Sequence, residues 1–357
     1  MSKTKTIKSQ DGKLEVKYDE VTHVCVCVVI YALLHYLLLA DERDARDHTI
    51  YYCYNKGIDK NIRDHLPSIT LPNSTGGLLK RVFWKILWKW QCVIQYPFLK
   101  TAEIFAQDHI PMAAILIGDN HYSLLSDGPN CFSRDYKAES VLFKMRKKKN
   151  NSFYGKVEKH ILGDVCVNNM GGNPHCDMIY LTEENTSPLL ENHHVDIQSL
   201  NDLWEKSSPQ KKKFILEVFN CSGEDIDLLN GKSICFLSQP LVNDRILTEG
   251  EYHDLLERVF QKYDINQLII KTHPRDTFDY KKHFPQIALF DKPIGTQLLA
   301  ILGGTNMRKV VTISSSAIEA FPVSVEADVF GTEIHPKIEA GFGSTYTFSR
   351  VFNKVSL

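Results

Sequence analysis

The run Leu268-Ile269-Ile270-Lys271-Thr272-His273-Pro274-Arg275, joined further along the chain by Val310-Val311-Thr312-Ile313-Ser314-Ser315-Ser316, decides the fold. Each is a short, β-branched apolar stretch that stops abruptly in polar groups, Lys, His and Arg in the first and three hydroxyls in the second. Such stretches read as strands. Where strands alternate with helices, ligands bind outside the carboxyl ends of the strands. Both polar tips therefore belong on one edge of a parallel sheet, with side chains suited to holding a phosphate.

The surrounding pattern agrees. Ser233 to Leu237 reads as a strand, and Thr248-Glu249-Gly250-Glu251 as a capping box opening a helix to about Lys262, with Tyr252, Leu255, Leu256 and Val259 on one face. Strands over 267–271 and 287–290, a helix over 294–302, a strand over 309–313 and a helix starting at the serines complete a helix-covered parallel sheet. Nearer the start, Val24 to Ala40 is apolar apart from His35 and the Tyr hydroxyls, first β-branched or Cys and then Leu-rich. It is at the short end of what spans a bilayer, so strand, tight turn near Tyr31 and buried helix is the expected reading. No small-residue cleavage site marks a signal peptide. Thr49 to Tyr54 is a second strand, and Leu78 to Tyr96 a helix with Trp84, Leu87 and Trp88 on one side. Ile115 to Ile117 and Tyr122 to Leu125 read as strands, the latter ending in Ser126-Asp127-Gly128-Pro129-Asn130. From Lys144 to Gln210 the chain is polar and irregular. Charge and Gly rise over Ser222 to Asn230, which places the expected domains at 1–225 and 226–340. The tail over 341–357 is expected to be helical and to pack back on the first domain.

Composition narrows the class. The chain has 357 residues, 42 basic and 43 acidic, so no bulk charge pulls it toward nucleic acid. Its nine cysteines form no CxxC and no paired zinc spacing, as in reduced, buried thiols of a cytoplasmic protein. Asp225-Ile226-Asp227 has no strand before it and reads as a solvated turn, and His193-His194 lacks a third metal ligand. The stretch from Arg81 to Trp90 mixes Lys with Trp. It reads either as a membrane-interface helix or as an amphipathic helix packed on the sheet with Lys outward.

At the strand ends, His273 sits before Pro274, which biases it toward an extended backbone. Its imidazole is suited to donating a hydrogen bond or proton to a departing phosphate, and equally to a structural role. Ser314, Ser315 and Ser316 would open a helix whose free N–H groups suit a phosphate, although one serine is accounted for as an N-cap. Asp127 before Gly128-Pro129 is also an ordinary turn residue.

A His-Pro motif after one strand, a serine motif opening a later helix, and an acidic-Gly motif in the N-terminal half resemble the bacterial sialyltransferases of glycosyltransferase family 52 and their polysialyltransferase relatives. Cys25-Val26-Cys27-Val28-Val29-Ile30-Tyr31 is similar to their first strand, and Leu237-Ser238-Gln239-Pro240-Leu241 to the Gln-Pro-Leu ending their first C-terminal strand. The resemblance implies an α/β, GT-B fold, two Rossmann-like domains facing a central cleft. It implies inverting, metal-independent transfer of sialic acid from CMP-sialic acid, with no cofactor. The acceptor would be a terminal sugar, galactose by expectation, of a lipid-linked surface glycan (lipooligosaccharide, O-antigen or capsule). The implied setting is the cytoplasm, peripheral on the inner membrane face, with a homodimer as one possible state and no nucleic acid. His273 would act on the leaving phosphate, Ser314, Ser315 and Ser316 would bind it, and Lys271, Pro274, Arg275 and Gln239 would surround the nucleotide. The base position departs from the family pattern, because Ser126 replaces the first acidic residue. Asp127 is then the first candidate, Asp244 the second and Glu251 a third. Competing readings are another GT-B transferase using a UDP-sugar or CMP-Kdo, and a non-catalytic nucleotide-sugar binder in a glycan assembly complex.

Overall fold

The computed structural model describes residues 5–72, 78–128, 151–152, 156, 160, 171–184, 190, 193–343 and 350–357. The chain divides into two compact units, Met1–Val218 and Phe219–Leu357, so the division falls earlier than the expected 225. Each unit carries its own parallel sheet, the make-up of the GT-B class.

Unit 1 begins with a two-stranded antiparallel ribbon, β1 (Thr6–Lys8) and β2 (Glu15–Lys17). Then come β3 (His23–Cys27), α1 (Ile30–Leu39), β4 (Thr49–Cys53), α2 (Lys60–Asp64), β5 (Ser68–Thr70), α3 (Leu78–Gln95) and β6 (Glu103–Ala106). They are followed by α4 (Pro111–Ile117), β7 (Tyr122–Leu125), β8 (Cys176–Leu181), β9 (Val195–Ile197), α5 (Leu200–Lys206) and α6 (Pro209–Val218). The strands pair in the order β5-β4-β3-β6-β7-β8-β9, all parallel. The opening strand is central because it is apolar on both faces: from Val24 on, β3 is buried. The expected strand at Ile115 to Ile117 is instead the last turn of α4. Pro111 starts that helix and Gly118, at φ 58°, ends it. Met112 to Ile117 are all buried, so no periodicity separates helix from strand there.

Unit 2 runs α7 (Gly223–Asn230), β10 (Ile234–Leu237), α8 (Glu249–Phe260), β11 (Leu268–Lys271), α9 (Tyr280–His283), β12 (Ala288–Phe290) and α10 (Thr296–Gly303). It closes with β13 (Lys309–Thr312), β14 (Glu326–Val329), α11 (Pro336–Phe342) and β15 (Asn353–Lys354). The order is β12-β11-β10-β13-β14-β15, again parallel. Residues 353–354 thus form an edge strand beside β14, and the tail belongs to unit 2 rather than lying as a helix on unit 1. The capping box of α8 is formed by Thr248 and Glu251, and Tyr252, Leu255, Leu256 and Val259 are buried as the periodicity required. Asp225 and Asp227 stand in α7, where Asp225 closes a second capping box with Ser222 and meets Lys292 at 3.2 Å.

The order in which strands are added reverses beside the first strand of each sheet, between β3 and β6 and between β10 and β13. In open parallel sheets that is where a ligand crevice forms at the carboxyl ends.

Candidate active site

In unit 2 the register places Leu237 opposite both Lys271 and Thr312, so the segments after β10, β11 and β13 leave the sheet side by side. Ser238 is the hub between the first two. Its hydroxyl accepts the His273 N–H at 2.9 Å and donates to Asp276 Oδ2 at 2.6 Å. The same carboxylate oxygen accepts the Tyr280 hydroxyl at 2.8 Å, and Tyr280 in turn meets the Tyr252 hydroxyl at 3.0 Å. Pro274 lies inside a tight turn closed by the Asp276 N–H on the His273 carbonyl at 2.8 Å, the position at which a fixed φ is favourable.

This framework sets the imidazole. His273 is half-buried, and its Nδ1 accepts the Arg275 N–H at 3.1 Å. A ring that accepts at Nδ1 carries its proton on Nε2 when neutral. Burial, and then the Arg275 charge, lowers its pKa, so the ring is uncharged at neutral pH and offers Nε2–H as a donor.

Gln239 ties β10 to β13. Its Oε1 accepts the Ser314 N–H at 3.0 Å, and its amide nitrogen donates to Ser314 Oγ at 3.1 Å. Gln239 thereby positions the serine loop. Ser315 N–H donates to Thr312 Oγ1 at 3.1 Å, while Ser315 Oγ accepts the Ala317 N–H at 3.3 Å and caps the next turn. That turn belongs to a five-residue 3-10 helix, Ser316–Ala320, in place of the expected α-helix. A helix so short has little dipole, so any anion held here would rely on hydroxyls and local N–H groups. Ser316 is exposed, and Ser314 and Ser315 are half-buried.

Two expected nucleotide ligands are otherwise engaged. The Lys271 ammonium is buried and donates to the carbonyls of Thr272 at 2.8 Å and Lys292 at 3.0 Å, and burial lowers its pKa to about 8. It pins the loops after β11 and β12. Arg275 forms a two-pronged pair with Asp244, 2.8 Å and 3.4 Å. Asp244 is thus neutralised by a cation and Arg275 by an anion. Glu251 caps α8 and pairs with Lys337 at 2.6 Å, which holds its carboxyl down to about 2. Glu251 is therefore less ready to accept a proton than an unpaired carboxylate.

In unit 1, Asp127 follows β7 and is exposed at the sheet's carboxyl edge, with His109 Nε2 at 3.8 Å from Oδ2. His109 follows β6. Between them the edge is built from buried polar groups. Gln107 Oε1 accepts the N–H groups of Val28 at 2.7 Å and Val29 at 3.2 Å, fixing the turn after β3. Asp108 Oδ2 accepts the Tyr122 hydroxyl at 2.7 Å and the Gly171 N–H at 3.0 Å. Gly57 packs so close to this turn that a Cβ there would sit 1.8 Å from the Val28 carbonyl oxygen. Ser126 is buried. Pro129 and Asn130 lie outside the described residues.

Among the described residues, the only His and carboxylate group with metal-ligand proximity is His253, Asp254 and Glu257, in α8 and not at the strand ends. Sequence reasoning does not single out Ser238, Asp276, Gln107, Asp108 or His109. Each is a polar residue within a few positions of a strand's end, and that is the one signal the chain offers for them.

The family model of glycosyltransferase family 52 matches residues 100–338. An uncharacterized protein of Haemophilus influenzae is 30% identical over 247 residues, 69% of this chain and 74% of that protein. Among solved structures, the 2,6-sialyltransferase of Photobacterium sp. JT-ISH-224, determined with CMP and lactose, aligns over 92% of this chain and 78% of its own at 12% identity, TM-score 0.48. The UDP-GlcNAc 2-epimerase of Methanocaldococcus jannaschii aligns over 93% and 89% at 12% identity, TM-score 0.46.

Proposed function

The chain belongs to glycosyltransferase family 52, and from that premise we propose that it is an inverting sialyltransferase, moving sialic acid from CMP-sialic acid to a terminal galactose of a lipid-linked bacterial surface glycan. The observation that supports this is the donor set at the ends of β10, β11 and β13: one neutral imidazole and the hydroxyls of Ser314 and Ser315, held by hydrogen bonds, with the exposed Ser316 hydroxyl beside them. This set suits a single phosphodiester-derived leaving group. A nucleoside diphosphate carries more charge and is usually met by cations, whereas here Lys271 and Arg275 are already engaged.

The bond from the anomeric carbon of sialic acid to the phosphate oxygen breaks, and its electron pair leaves with CMP. Nε2–H of His273 and the Ser315 hydroxyl donate to the phosphate oxygens as that charge develops, which lowers the barrier only to the extent that they are already in place. Ser238 and Asp276 supply that preorganisation by fixing the His273 backbone. The acceptor hydroxyl oxygen bonds to the anomeric carbon from the opposite face, inverting it, and its proton passes to Asp127. His109 pairs with that carboxylate when its imidazole is protonated. No metal enters these steps.

Purified protein incubated with CMP-sialic acid and lactose tests the reading. Release of CMP together with sialyl-lactose is the expected result. Turnover of a UDP-sugar or CMP-Kdo with CMP-sialic acid untouched would replace it with another transferase. Tight CMP binding without any turnover would favour a binding protein.

A further inference from the structure

The serine loop after β13 is held at its near end by Gln239, through Ser314. Its far end is the 3-10 helix Ser316–Ala320 and the turn beyond. A helix this short does not hold itself firmly, because its hydrogen bonds are poorly aligned and the carbonyls at its C-terminal end find no partner in a following turn. Its own bonds are long: the Ile318 N–H meets the Ser315 carbonyl at 3.5 Å, and the Phe321 N–H meets the Ile318 carbonyl at 3.2 Å.

Arg350 supplies the missing partner. Its Nη1 donates to the carbonyls of Ile318 at 2.8 Å and Phe321 at 2.9 Å, and its Nη2 donates to those of Pro322 at 3.4 Å and Val325. Each terminal nitrogen of a guanidinium carries two N–H groups, so the whole fork is committed to one stretch of backbone, a match that an ammonium cannot make. The remaining nitrogen, Nε, is buried without a partner among the described residues. No donor of Arg350 is therefore left for a bound anion, and any effect it has on one passes through the loop it grips.

The arginine is itself anchored. Asn353, which opens β15, donates to Asp328 Oδ1 at 3.1 Å, and the Val355 N–H donates to the Val329 carbonyl at 2.9 Å. Asp328 is buried in β14, and its other oxygen accepts the Lys309 ammonium at 2.9 Å and the Tyr263 hydroxyl at 3.0 Å. The backbone that carries Arg350 is thus fixed to the strand beside β13, while its guanidinium holds the turn that follows β13.

We propose that Arg350 is a positioning residue for the phosphate site: with Gln239 it clamps the loop after β13 from both ends, holding Ser315 in place before the nucleotide arrives. This role rests on the reading in which Ser315 meets the CMP phosphate. It adds that donor affinity depends on a side chain outside the donor's reach.

The test is CMP affinity, measured by calorimetry well below the melting temperature, for wild type, Arg350→Ala, Arg350→Lys, Ser315→Ala and the double variant Arg350→Ala/Ser315→Ala. Arg350→Ala is expected to bind CMP roughly ten- to a hundredfold more weakly, the size of a lost charge-assisted hydrogen bond. Arg350→Lys, which keeps the charge without the fork, should bind with intermediate affinity, and it carries the comparison if Arg350→Ala does not fold. The double variant should lose less than the two single losses multiplied, because the arginine acts through the serine loop. Hydrogen exchange over 314–321 should quicken in Arg350→Ala with no ligand present. An arginine with a merely structural role would lower the melting temperature and leave CMP affinity unchanged, which would overturn the proposal. Losses that multiply in full would overturn it as well. Wild type without CMP affinity would overturn the donor reading and this role with it, whereas wild-type affinity that survives Arg350→Ala would overturn this role alone.

Discussion

The two units share a plan and use it differently. In both, the first strand of the sheet lies inside it and polar residues gather where the strand order reverses beside it. In unit 2 those residues bond mainly to one another: Gln239 to Ser314, Ser238 to His273 and Asp276, and Asp276 to Tyr280. In unit 1 they bond inward, Gln107 to the turn after β3 and Asp108 to Tyr122 and Gly171, and beside them stand a half-buried imidazole and an exposed carboxylate, His109 and Asp127. Among the described residues the unit 1 edge also has buried polar atoms without a partner, Gln107 Nε2 and Ser126 Oγ, and the unit 2 strand ends have none. On the proposed reading the contrast is a division of labour. A rigid, mutually satisfied frame suits charge that develops at a fixed point, and a looser edge suits an acceptor that enters and leaves.

The largest effects should separate the two edges. His273→Ala is expected to lower both hydrolysis of CMP-sialic acid and transfer by roughly a hundred- to ten-thousand-fold. Asp127→Asn should lower transfer by a similar factor while leaving CMP affinity, measured by calorimetry, near wild type. If Asp127→Asn kept full transfer and Asp244→Asn lost it, the base would belong to unit 2 and the division would fail.

A second difference concerns acid. His35 in α1 is fully buried, its ring nitrogens have no hydrogen-bond partner, and burial lowers its pKa to about 4. An unfolded His takes up its proton near pH 6.5, so the folded form loses stability as pH falls from about 6.5 toward 4, by roughly 3 kcal/mol over the window. Denaturation followed at pH 7 and pH 4.5 should show that slope, and His35→Leu should abolish it.

How much of this can be read from the chain depends on the same physics. The strands flanking the donor edge are legible because β-branched runs ending in Lys-Thr-His-Pro and Thr-Ile-Ser-Ser are short, apolar and sharply terminated. α4 is not, since a helix buried all round has no period. Lys271 looks like a ligand because its position is at the strand's tip, but a long side chain can fold back under a loop and satisfy carbonyls. Hydropathy alone turns the lysines of α3 outward, whereas filling the space beside Met112 requires Trp88 and brings Trp84 and Trp90 to the surface. Asp276 and His109 follow their strands in coil, where no periodicity distinguishes a framework residue from a solvated one.

Smaller effects probe the frame itself. Asp276→Asn removes one carboxylate from a half-buried site holding two hydroxyls, and should cost about 1 to 3 kcal/mol in unit 2. It should also raise KM for CMP-sialic acid through a displaced His273, with no comparable change in the acid slope of His35. Asp244→Ala breaks only an exposed pair with Arg275, so its cost in melting experiments should be about 0 to 1 kcal/mol.

The most direct measurement is a crystal structure of the protein with CMP bound. The expected result is a phosphate within hydrogen-bond distance of His273 Nε2 and Ser315 Oγ, with the loops after β10 and β13 still joined through Gln239 and Ser314. A phosphate bound away from both residues would contradict the assignment of the donor edge.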